Sequence, residues 1–204
     1  MDSGIDISTT DTTPGLYIHI PFCKSKCPYC NFYSVTSFTM IDEFLNALFR
    51  EMEMYREAFT RFDTVYIGGG TPSLLAIEHF DSILSNIRNT FILSPNPEIT
   101  VEINPADSPQ EYLESLRHLG FNRLNICVQS FDDKVLTFIK RRHSVREALD
   151  TIEAAGNAGF ENIGIDLIYG IPGQNMTSWL DTVSQALSLN LAHLSCYQLT
   201  IDAG

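Results

Sequence analysis

The sequence is short of positive charge: 13 Lys and Arg stand against 25 Asp and Glu in 204 residues, a formal net charge of −12. The cations are scattered and form no stripe of the kind that follows a phosphate backbone, which argues against nucleic acid as a partner. No run of 18 apolar residues occurs, so no transmembrane segment is expected. The first fourteen residues, MDSGIDISTTDTTP, lack the basic start and apolar stretch of an export signal, and a cytoplasmic protein is expected. A disulfide framework is then disfavoured, because cytosolic thiols stay reduced. Also absent are internal repeats, low-complexity blocks, a GxGxxG after the first strand and a P-loop lysine. The two commonest nucleotide-binding readings of an α/β chain thereby lose their signatures.

What is present is an alternation of two periods. Short β-type runs at 16–20, 64–68, 98–104, 123–129, 162–170 and 193–201 are separated by longer segments at 41–59, 76–91, 108–120, 145–160 and 177–190. In those segments apolar residues recur every three or four positions, as in amphipathic helices. Gly120 and Gly159 read as helix ends, Pro14 and Pro97 as residues preceding strands, and Ser108-Pro109 as an N-cap followed by Pro at the first helical position. Six strands alternating with helices imply α/β architecture with a parallel sheet. With 44% hydrophobic residues the chain is expected to form one domain over 15–204, after a flexible polar tail at 1–14. It stops at TIDAG, just past the sixth run, and reads as truncated there, with a C-terminal domain absent.

The strands carry a second pattern. One face collects Leu16, Ile18, Ile20, Val65, Ile67, Ile99, Val101, Ile103, Leu124, Ile126, Val128, Ile163, Ile165 and Leu167. The other collects Tyr17, His19, Tyr66, Gly68, Glu102, Asn104, Arg123, Asn125, Gln129, Gly164 and Asp166. Parallel strands covered on both faces read as continuous apolar runs, so a face this polar points to a cavity. The economical account is a partial parallel (β/α)6 barrel, with its site at the carboxyl ends of the strands.

Three cysteines fall in eight residues, CKSKCPYC, directly after the first strand. Structural zinc prefers paired knuckles or Cys2His2 spacing, and here there is one C-x3-C-x2-C loop with no second half. A zinc-stabilised scaffold, completed by His19 or a distant cysteine, is the plain alternative. A 4Fe-4S cluster held by Cys23, Cys27 and Cys30 would leave one iron open for a bound cofactor.

That loop, with Tyr29 before its last cysteine, resembles the radical SAM superfamily, in which S-adenosylmethionine caps the open iron. GGGTPS at 68–73 is similar to the family's glycine-rich segment, where backbone must approach the SAM methionine. YIHIPFCKSKCPYC, YIGGGTPS, VEINP, NRLNICVQSFDD, RRHS, IDLIYGIPGQ and YQLTI follow in the order of the group containing oxygen-independent coproporphyrinogen III dehydrogenase and the heme chaperone HemW. The absence of a cysteine directly after the triad, together with VQSF and RRHS, leans to the HemW side. The resemblance implies cluster ligation by Cys23, Cys27 and Cys30. It implies SAM contacts at Tyr17, Tyr29, Gly69, Gly70, Thr71, Glu102, Gln129, Arg141, Asp166 and Gln198. Without it, Arg141 would be read as part of a solvated surface cluster.

Asn125, Cys127 and Asn31 depart from the group's usual Ser, Gly and Asp. Cys127 is expected to be a small cavity-side residue, Cys196 a core residue on the helix-facing side, and His19 a hydrogen-bonded cavity residue; His143 has no assigned role. Two function classes follow from the resemblance. A heme chaperone would bind heme and pass it to acceptor proteins. A coproporphyrinogen III dehydrogenase would take electrons from a donor and decarboxylate propionates of a porphyrinogen by radical chemistry.

Overall fold

In the computed structural model, which describes residues 13–200, every strand of the sheet runs parallel to its neighbours in the order β1-β2-β3-β4-β5-β6. The strands are β1 Gly15–Ile20, β2 Arg61–Gly69, β3 Ile92–Ile103, β4 Arg123–Gln129, β5 Asn162–Tyr169 and β6 His193–Gln198. The helices between them are α1 Ile41–Tyr55, α2 Ile77–Thr90, α3 Gln110–Leu119, α4 Asp133–Phe138, α5 Val145–Asn157 and α6 Met176–Ser188. Sequential parallel order with crossovers of one hand puts the longer crossover helices on one face, and the sheet curls away from them into a half-barrel. The expected flexible tail lies, up to residue 12, outside the described residues.

The face read as apolar is the one under the helices. Val65, Ile67, Val101, Leu124, Ile126, Ile165 and Leu167 are fully buried there, against Phe80, Ile83 and Ile87 of α2 and Leu113 and Leu116 of α3. Each such side chain contributes roughly 1.5–3 kcal/mol through removal from water. The sheet face read as polar forms the inner wall, with α4 packed on its carboxyl end at Ile168.

Three details of punctuation differ from expectation. Pro97 lies inside β3, not before it; β2 and β3 pair at Phe62↔Leu93 and then at Thr64↔Glu98, so Pro95 and Pro97 sit in the slipped stretch where no ladder N–H is needed. Helix α3 starts one residue later than Pro109, which is its N-cap, and Ser108 Oγ donates instead to Asn104 O at 3.0 Å. Helix α4 escapes a periodicity reading because it has six residues; it packs Val135, Leu136 and Ile139 on Ile168 and Ile171, with Tyr29 against the same cluster. Gly120 does end its helix, in the left-handed conformation (φ 105°).

Candidate functional site

Strand β1 delivers the chain to the cysteine loop at the carboxyl edge of the sheet. The loop is closed at its base by Cys23 N–H to Val35 O (3.0 Å) and Val35 N–H to Pro21 O (2.7 Å). Alongside, Gly70 N–H donates to Ile20 O and Thr71 N–H to Phe22 O, both at 2.8 Å, so the glycine segment lies flush against the loop's entrance. A Cβ at Gly70 would meet Phe22 O at 2.8 Å, Ile20 O at 2.9 Å and Cys23 Sγ at 3.1 Å. Thr71 Oγ1 donates to Cys23 Sγ at 3.5 Å.

The opposite side of the loop is gripped by residues 140–143. Lys140 adopts a positive φ of 56°, and the two arginines after it reach different targets. Arg141 donates from Nη2 to Cys127 O at 2.7 Å, while its Nη1 is 3.4 Å from Tyr29 Oη and 3.8 Å from Cys27 Sγ. Arg142 pairs with Asp107, which also receives Lys24 Nζ at 2.6 Å. The two cations hold the Asp107 carboxyl below its ordinary value even though burial, the largest single influence, acts the other way. His143 is buried, with Nε2 at 3.0 Å from Val128 O and no partner for Nδ1 among the described residues. Burial, reinforced by the Arg141 charge, lowers its pKa to about 4, so the ring is neutral and Nε2 carries the donated proton. The role missing for His143 is thus to tie the 140–143 turn to the end of β4.

The floor is built by register. Glu102 pairs with Asn125, Asn125 with Gly164, and Asp166 with Ser195. Glu102 accepts from Tyr66 Oη (2.8 Å) and Gly69 N–H (3.0 Å), and burial pushes its carboxyl up despite both bonds. Asp166 Oδ2 accepts from Asn125 Nδ2 at 2.8 Å and lies 3.7 Å from the Cys127 thiol, whose pKa burial pushes well up; Asp166 Oδ1 and Asn125 Oδ1 have no hydrogen-bond partner among the described residues. Gln129 ends β4 at φ 70°, and Ser130 N–H closes back onto Val128 O at 2.9 Å. A non-glycine residue held at positive φ in a tight turn is strained, and such strain gathers at working sites.

These elements enclose a cavity of about 470 Å³. It brings together Cys23, Cys27, Cys30, Tyr29, Gly69, Gly70, Thr71, Glu102, Gln129, Arg141, Asp166 and Gln198. Tyr17 is not among its lining residues: it stacks on Tyr66, with ring centroids 5.9 Å apart, and is 53% exposed. His19 is hydrogen-bonded as expected, Nε2 to Tyr33 O at 2.9 Å, but it too stands outside the cavity lining. Cys196 is exposed, contrary to expectation; it shares the register of Leu167 and hence the helix-facing side, but the packing that half-buries Leu194 on that side of edge strand β6 does not extend to it. The sequence reading missed Lys26, Phe32, Lys140, Arg142 and Tyr197 as lining residues, and Asp107 as an anchor.

The family model of the radical SAM superfamily matches residues 17–186. The chain belongs to the radical SAM superfamily. It is 38% identical over 193 residues to the heme chaperone HemW of Bacillus subtilis (strain 168), covering 91% of this chain and 50% of the relative. To HemW of Escherichia coli (strain K12) it is 35% identical over 192 residues, covering 92% and 50%. The chain thus spans about half the length of the curated relatives it matches. Among solved structures, coproporphyrinogen III oxidase (HemN) from Escherichia coli, a radical SAM enzyme, superposes with a TM-score of 0.84 at 30% identity over 92% of this chain and 44% of that one. The [FeFe]-hydrogenase maturase HydG, at 16% identity and a TM-score of 0.65, shares the fold.

The radical SAM family implies a 4Fe-4S cluster and SAM, and the side chains suit both. The three thiols line one cavity, and thiolate sulfur is the donor type that iron–sulfur clusters take. Arg141 Nη1 and Thr71 Oγ1 place donors beside the Cys27 and Cys23 sulfurs. Asp166 Oδ1, buried without a hydrogen-bond partner among the described residues, is the kind of acceptor a ribose hydroxyl or an ammonium group satisfies. No helix of the described residues is long and apolar enough to cross a membrane.

Proposed function

We propose that the protein is a HemW-like radical SAM protein of heme metabolism that binds a 4Fe-4S cluster, SAM and heme, and passes heme to acceptor proteins. The observation that carries this reading is the single cavity into which the three loop thiols, the glycine segment and the Glu102–Gln129–Asp166 floor all open. When bound, the cluster supplies the electron that reductive SAM chemistry consumes. Cys23, Cys27 and Cys30 hold the cluster. Gly69, Gly70 and Thr71 present backbone to the amino-acid end of SAM, Arg141 offers its carboxylate a cation, and Glu102, Gln129, Asp166 and Gln198 serve its polar remainder. Tyr29, packed between Arg141 and the α4 cluster, fixes the loop and borders the cofactor. Tyr17 takes part through Tyr66, which orients Glu102. Residues 15–204 form the radical SAM core in this reading, and heme recognition is shared with a C-terminal domain such as the relatives' greater length accommodates.

The likeness to HemN favours a second reading, an oxygen-independent coproporphyrinogen III oxidase that receives electrons from a donor protein. One assay separates them. The protein is reconstituted anaerobically, shown to contain iron and not zinc, and given coproporphyrinogen III, SAM and a strong reductant. Several protoporphyrinogen molecules formed per chain would overturn the chaperone reading. No product, together with SAM binding and retention of added heme, is the expected result.

A further inference from the structure

The cavity has a cationic rim in a chain of net charge −12. Lys26 of the cysteine loop and Lys140 of the turn after α4 both line it and are exposed, and neither ammonium has an ion pair or hydrogen bond among the described residues. Arg142 lines it as well, shared with Asp107. The carboxylates lining the cavity, Glu102 and Asp166, lie on the sheet and accept hydrogen bonds there. Two exposed aromatic rings also stand at the wall without a ring partner among the described residues: Phe32, 64% exposed, just after the cysteine loop, and Tyr197, 56% exposed, on β6. One follows the first edge strand and the other lies on the last, so they border the two sides of the open barrel.

Unpaired cations beside bare aromatic faces ask for a flat apolar ring that carries more than one carboxylate. SAM does not answer to that description, since its sulfonium and ammonium outweigh its single carboxylate and leave it a cation. We infer that this rim binds the ring and propionates of a tetrapyrrole, with Lys26 and Lys140 on the carboxylates and Phe32 and Tyr197 against the macrocycle. The inference rests on the heme reading above and adds to it the residues that receive the ligand.

The test uses the anaerobically reconstituted protein, titrated by absorbance with hemin, with hemin dimethyl ester, and with coproporphyrin III. Wild type should hold hemin and coproporphyrin III and bind the ester at least about tenfold more weakly. The double variant Lys26→Glu, Lys140→Glu should lose about tenfold in affinity for both acids and nothing for the ester, with iron content and thermal unfolding as checks on folding. Phe32→Ala with Tyr197→Ala should weaken acid and ester alike. Equal binding of ester and acid, or charge reversal that leaves hemin affinity unchanged, overturns the rim assignment while leaving heme binding intact. Retention of no tetrapyrrole by wild type overturns both the assignment and the reading beneath it.

Discussion

Arg141 bridges Cys127 and the cysteine loop: Nη2 donates to the Cys127 carbonyl at 2.7 Å while Nη1 stands 3.8 Å from Cys27 Sγ. One planar guanidinium thereby fixes strand β4 and a loop thiol relative to each other, which a lysine ammonium, a single point of charge, does not reproduce. Arg141→Lys should fold with a loss of about 1–3 kcal/mol, the range for a buried acceptor left without its donor. Iron retained after gel filtration should fall with it. Undiminished iron and an unchanged unfolding midpoint would refute the bridging role.

Gly70→Ala tests the flush approach of the glycine segment. Its Cβ would meet two backbone carbonyl oxygens under 3.0 Å, and neither can rotate aside. A loss of about 1–3 kcal/mol is expected from overpacking, with displacement of Cys23. Thermal unfolding and iron content measure the two effects separately.

Asp107→Asn removes the carboxylate shared by Lys24 and Arg142. Lys24 is half exposed, so the loss should fall near 1–3 kcal/mol, below the range for fully buried pairs. Because the folded-state value of Asp107 is lowered, its contribution is full above the ordinary value of 3.8 and disappears as pH falls through the lower folded one. Wild type and Asp107→Asn should therefore converge in stability in strong acid; a gap that persists there would contradict the ion-pair account.

His143 gives a different window. Its folded pKa is about 4 against 6.5 unfolded, so the unfolded chain binds the extra proton between those values. Stability from the neutral ring is complete above pH 6.5 and declines as pH falls toward 4, by up to about 3 kcal/mol. His143→Gln should flatten that slope in denaturant titrations run at pH 7, 5.5 and 4.5.

Thiol accessibility separates the two cysteines outside the triad. Exposed Cys196 should react with a maleimide in the folded, cluster-loaded protein much faster than Cys127, which is only half-buried but whose thiol burial keeps protonated. Mass spectrometry of the labelled peptides reads the result.

The architecture was legible in the sequence because two periods alternate cleanly, and the cavity because one strand face is polar where a covered sheet is apolar. Glu102, Gln129 and Asp166 could be placed by counting twos along their strands. Tyr17 shows the limit of that counting: it stands on the inner face, but at the level of Tyr66, Thr100 and Arg123, two residues below Glu102, and none of that row lines the cavity. Lys24, Asp107 and Arg142 were invisible for another reason, since nothing in a linear sequence tells an anchored surface charge from a solvated one. Cys196 was misjudged because side-chain alternation gives direction, and burial additionally requires something to lie on top.

The loop that carries Cys23, Cys27 and Cys30 is contiguous, yet what fixes it is not. Its anchors are Val35, Thr71, Asp107 and Arg141, the last of them 114 residues from Cys27. Cut out as a peptide, the motif would keep its spelling and lose its shape. If the loop holds its cluster as proposed, iron uptake becomes a report on the assembly of the whole sheet, and a lesion far from any cysteine would announce itself first as a colourless protein.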